Sequence, residues 1–69
     1  MDIRVNGKNE SVSAGSTVLA VLQKKDLDPG LISVEYNGKI LEKSDLDRTA
    51  LNEGDELEIL FFMGGGEPA

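Results

Sequence analysis

The chain has 69 residues, with 13 acidic side chains against seven basic ones, a formal net charge of -6, and neither cysteine nor histidine. A single domain of this length buries only about 60% of the surface its unfolded form exposes, which makes a deep enclosed substrate pocket improbable. The composition excludes disulfides, zinc-ligand clusters, thiol or persulfide chemistry and the usual general base near neutral pH, and the acidic balance repels nucleic acid and anionic lipid.

A partner with a basic docking surface suits this charge, although the same charge also serves simple solubility. The N-terminus carries no apolar signal-like run, and no stretch approaches the ~20 apolar residues of a membrane span. A cytoplasmic protein that touches neither membrane nor nucleic acid is therefore expected.

In chain order, Ile3 and Val5 alternate with Asp2 and Arg4, and Asn6-Gly7 then supplies the positive-φ residues of a tight turn. The chain can return as a short or edge strand over residues 10–13, whose strong apolar anchor is Val12. Ala14-Gly15 breaks that pattern. Ser16 or Thr17 can cap a helix spanning about residues 17–26, in which Val18, Leu19, Val21 and Leu22 recur at helical spacing. Lys24 and Lys25 complement the helix dipole, and Pro29-Gly30 forbids continuation.

Ile32 and Val34 alternate with Ser33 and Glu35, Tyr36 continues the strand, and a second Asn37-Gly38 turn leads into Lys39-Ile40-Leu41. A short helical turn is read at Ser44-Asp45-Leu46, with Leu46 and Leu51 pinning the connection to the core. Glu53-Gly54-Asp55 turns into a final strand over residues 57–63. Alternation places Leu57, Ile59 and Phe61 toward the helix, and Glu58, Leu60 and Phe62 on the opposite face.

Strand, strand, helix, strand, short strand, strand is an α+β order in which a small mixed sheet covers one main helix. That is a β-grasp, or ubiquitin-like, arrangement. The expected organisation is a folded domain over residues 1–63 and a flexible glycine-rich tail over residues 64–69.

The tail carries the functional signal. Gly64, Gly65 and Gly66 follow the last strand with no polar spacer, so a firmly held root would carry a tip free to thread a partner's active site. Simple fraying is the plain alternative. Leu60 and Phe62, exposed beside that root, are candidate docking residues, although single surface apolar side chains are common. Glu53, Asp55, Glu56 and Glu58 fall on a turn and on alternate strand faces, so they read as a solvated acidic rim and not as a metal site. The turn glycines show no phosphate-loop spacing.

The ordered set formed by Ile3 with Val5-Asn6-Gly7, Thr17-Val18, Leu27-Asp28-Pro29, Val34-Glu35 with Asn37-Gly38, Leu51 with Glu53-Gly54-Asp55, Leu57-Glu58-Ile59 and Gly64-Gly65-Gly66 resembles the ThiS family of sulfur carriers in thiamine biosynthesis. The likeness covers residues 1–66. It implies that the carboxylate of Gly66 is adenylated by an E1-like (ThiF-type) enzyme and converted to a thiocarboxylate, which then gives its sulfur to a ThiG-type thiazole synthase. The chain itself would be a carrier and not an enzyme, with no bound cofactor, because ATP and magnesium would belong to the activating partner.

One departure bears on that chemistry. Family members normally end at the glycine corresponding to Gly66, whereas this chain continues through Glu67-Pro68-Ala69, which lock Gly66 in a peptide bond. Resemblance to extended carriers and to ubiquitin precursors implies a trimming protease; a cloning remnant and a loss of carrier activity are the other readings. The competing functions are a MoaD-like carrier serving molybdopterin or another acceptor, and a ubiquitin-like binding module with an inert tail.

Overall fold

The computed structural model describes residues 1–61. It contains β1 (Asp2–Val5), β2 (Lys8–Ser11), α1 (Val18–Lys24), β3 (Ile32–Tyr36), β4 (Lys39–Ile40) and β5 (Glu56–Phe61), with short 3-10 turns at Pro29–Leu31 and Lys43–Asp45. The strands form a five-stranded sheet in the order β2-β1-β5-β3-β4. β1 and β5 run parallel, and the other three pairings are antiparallel. Parallel neighbours cannot be joined by a tight turn, and the connection from β1 to β5 accordingly runs through β2, the helix and the second hairpin. This is the β-grasp arrangement expected from the element order.

Both hairpins turn on Asn-Gly pairs with positive φ, 52° and 82° at Asn6 and Gly7 and 49° and 89° at Asn37 and Gly38. Such two-residue turns match the right-handed twist of the flanking strands. They also set the register tightly, and β2 therefore begins at Lys8, opposite Val5, earlier than the expected residues 10–13. Val12 lies just past the strand, where its N–H and carbonyl pair with the carbonyl and amino group of Met1, and its side chain is buried.

The Thr17 hydroxyl caps α1 by accepting from the Ala20 N–H at 3.1 Å. The Val18 and Leu19 N–H groups donate to the carbonyls of Thr49 and Leu46, so the connection before β5 is tied to the helix start. α1 ends at Lys24, short of the expected residue 26. Asp26 takes the left-handed conformation (φ 57°), and the N–H groups of Asp26 and Leu27 turn back to the carbonyls of Gln23 and Leu22. That is a Schellman closure, which stops the helix before Pro29 can.

The core combines Ile3 and Val5 of β1, Val18, Val21 and Leu22 of α1, Ile32 and Val34 of β3, and Leu57 and Ile59 of β5, with Val12, Leu46 and Leu51 completing it from the connections. The expected side of Phe61 holds without bringing burial, and the expectation for Asp55 needs correction. Phe61 shares the helix-side alternation of Leu57 and Ile59, yet it is 59% exposed. The chain after α1 does not close over the ring: Lys25 and Leu27 instead line an open cavity of about 310 Å³ beside Phe61. Asp55, expected on a solvated rim, is only 9% exposed. Among the described residues no helix is long and apolar enough to cross a membrane.

Candidate functional site

The strand that leads toward the glycines is β5, and its position as the central strand determines how firmly the tail's root is held. β3 pairs with all of it but Glu56, from Tyr36 opposite Leu57 to Ile32 opposite Phe61. β1 pairs with only its first part, Arg4 opposite Glu56 and Val5 opposite Leu57. Beyond Val5 that ladder is continued by a side chain. The Asn6 N–H donates to the Leu57 carbonyl at 2.9 Å. The Asn6 amide then accepts from the Ile59 N–H at 2.7 Å and donates to the Ile59 carbonyl at 3.3 Å, mimicking a backbone partner.

Asn37 acts in the same way at the start of β5. Its N–H donates to the Glu56 carbonyl at 2.9 Å, and its Oδ1 accepts from the Glu56 N–H at 2.8 Å. The asparagine of each Asn-Gly turn thus grips the central strand. From sequence both residues are legible only as turn formers, and the repeated Asn-Gly pair is the available clue.

Behind Asn37 lies Asp55, whose carboxylate accepts from the Tyr36 hydroxyl at 2.7 Å, the Asn52 N–H at 2.7 Å and the Asn37 amide at 3.2 Å. Burial alone would raise the Asp55 pKa, but the bonds from Asn52, Tyr36 and Asn37 outweigh it and hold the carboxyl below its ordinary value. The hydrogen bond to Asp55, followed by burial, raises the Tyr36 phenol above its own. Asp55 is therefore a buried fastening at the entry to β5.

On the outer face of the sheet, Leu60 is 48% exposed, as alternation requires of a docking residue beside the root. Ile40 of β4 is 72% exposed and was not singled out from sequence. Phe62, Gly64, Gly65 and Gly66 lie outside the described residues. Among the described residues no three acidic side chains converge as a metal site, and Glu56 instead pairs with Arg4 at 3.2 Å.

A mixed five-stranded sheet on one helix, with its last described strand central, defines a ubiquitin-like β-grasp protein. The ThiS family profile matches residues 3–66, and the chain belongs to the ThiS family. It is similar to the solved structure of the thiamine biosynthesis protein ThiS from Geobacter metallireducens, with 36% identity and a TM-score of 0.82 over 96% of this chain and 100% of that one. It is also 41% identical to a thiazole synthase of Paramagnetospirillum magneticum and 30% identical to one of Magnetococcus marinus, matching 96% and 97% of this chain. The chain spans only 20% and 21% of the length of these two relatives.

Proposed function

We propose that this chain is a cytoplasmic protein co-substrate, without catalytic residues of its own, that carries sulfur on the terminal carboxyl of Gly66 once residues 67–69 have been removed. The observation that carries the reading is the family match extending through Gly66 in a chain whose last described strand is clamped at the centre of the sheet. A free carboxylate is a poor electrophile. An E1-like adenylating enzyme would let it attack the α-phosphorus of ATP, releasing pyrophosphate and leaving an acyl adenylate with AMP as leaving group. Sulfur at the sulfide level, as HS⁻, then displaces AMP at the carbonyl carbon, forming the thiocarboxylate and releasing AMP and a proton.

Thiazole synthase is the proposed acceptor. The occurrence of a ThiS-like segment within the longer thiazole synthases of two bacteria supports a working association between the two kinds of domain. Leu60, and Phe62 two residues further along, would contact the partner beside the tail, while Gly64 and Gly65 offer the small cross-section needed to enter its active site.

The test is the intact mass of the protein purified from its own source. A chain ending at Gly66 with one oxygen replaced by sulfur is the expected result. A chain still ending at Ala69 in cells actively making thiamine would overturn the reading. So would a thiocarboxylate form that serves molybdopterin synthase but not thiazole synthase, as far as thiamine is concerned.

A further inference from the structure

Strand register places Ile40, Glu35 and Glu58 side by side across β4, β3 and β5 on the outer face of the sheet, with Ser33 and Leu60 as the next row. Glu35 and Glu58 are directly opposed, a geometry that brings Cβ atoms to about 5 Å and is destabilising for like charges. Among the described residues, the ion pairs are Arg4 with Glu56 and Lys25 with Glu10, and neither involves Glu35 or Glu58. The free protein therefore holds two facing carboxylates between two exposed apolar side chains, Ile40 and Leu60.

We propose that this face docks a protein surface presenting an arginine or lysine bracketed by apolar side chains. The cation sits between Glu35 and Glu58 and the apolar groups cover Ile40 and Leu60. The charge points to this occupant: an incoming cation removes a repulsion that the fold leaves in place, whereas an acidic or purely apolar surface would leave both carboxylates unrelieved or strip their water. A second copy of the chain would bring a matching acidic face against this one. The proposal rests on the carrier reading for its choice of probes, and it extends the docking surface beyond Leu60 to β3 and β4.

The test titrates the full chain, and its Glu35→Gln/Glu58→Gln and Ile40→Ser variants, into the E1-like adenylating enzyme and into the thiazole synthase from the same source. Binding is measured at low and at physiological salt, with thermal unfolding followed in parallel. The expected result is about tenfold weaker binding to at least one partner for the double glutamine variant, with a flattened salt dependence, and a smaller loss for Ile40→Ser. The glutamine variant should unfold at the same or a higher temperature than the parent, which separates a binding role from a structural one.

Binding that is unchanged for both partners, or absent in the parent chain, overturns the proposal. So does a parent dimer in sedimentation that the variants dissociate. The Gly66 thiocarboxylate is read by mass on the parent chain alone, so failure of the carrier reading is seen separately.

Discussion

Removing the Asn6 side chain tests whether the root of the tail is held by an amide acting in place of a strand. Asn6→Gly deletes both side-chain bonds to Ile59 while tolerating the φ of 52°. Two neutral hydrogen bonds at about 0.5–1.5 kcal/mol each predict a loss of about 1–3 kcal/mol. Asn6→Ala loses the same bonds and must also hold a left-handed backbone, which costs an l-residue about 1–2 kcal/mol, partly offset by the lower entropy of its unfolded chain relative to glycine. Alanine should therefore be the worse substitution by roughly 1 kcal/mol. Urea unfolding measures both: at a slope of about 1 kcal/mol per molar, the midpoint of Asn6→Gly should fall by about 1–3 M. Amide exchange at Ile59 should accelerate well beyond that of Val34 on the neighbouring strand. A glycine variant within about 0.3 kcal/mol of the parent, with Ile59 still protected, would refute the clamp.

The depressed Asp55 pKa contributes stability that is present above the unfolded value of about 3.9 and is lost as pH falls through the lower folded value, so acid unfolding should steepen below about pH 4. Asp55→Ala should lose about 2–3 kcal/mol at pH 7, by leaving three donors without their acceptor, and should flatten that acid dependence in pH-jump unfolding. The raised Tyr36 pKa works in the opposite sense, giving stability below about pH 10 that disappears as the phenol ionises, and Tyr36→Phe should abolish that alkaline loss. Ile59→Asp places an unpaired charge at a buried site and should unfold a domain of ordinary stability, about 5 kcal/mol; a cooperative thermal transition near the parent's would contradict the inward register of β5. Phe62→Glu should weaken binding to the adenylating enzyme while circular dichroism stays unchanged, and equal binding would remove Phe62 from the docking surface.

What could be read from the sequence was local. The Asn-Gly turns, the Thr17 cap and the alternation of Leu57, Glu58, Ile59 and Leu60 are properties of neighbouring residues, and each appears in the structure. Phe61 lies on the side that alternation gives it, but burial depends on what lies above a residue, and α1 closes at Asp26 before its chain can cover the ring. Asp55 was misread because its partners Tyr36 and Asn37 lie 19 and 18 residues away in sequence. The bond between Asn6 and Ile59 spans 53 residues and depends on the parallel β1–β5 pairing, which no short window contains. Leu60 could be assigned to its face from spacing, but Ser33 opposite it, and Glu58, Glu35 and Ile40 in the next row, follow only from strand register.

The placement of β5 also explains how the protein can expose Leu60 and Phe61 without presenting a sticky strand edge. The outer strands of the sheet are poor templates for further pairing: β4 has two residues, and β2 reads Lys8, Asn9, Glu10 and Ser11. Leu60 and Phe61 sit on the central strand, where β3 occupies one backbone edge from Leu57 to Phe61. The other edge would open where β1 turns away after Val5, and there the Asn6 amide takes up the N–H and carbonyl of Ile59. Contacts with Leu60 are thereby directed through its side chain and the sheet face, and strand addition at Ile59 is blocked. The substitution that loosens the root of the tail would therefore also uncover a backbone edge beside the exposed Leu60 and Phe61, so Asn6 both holds β5 and closes that edge.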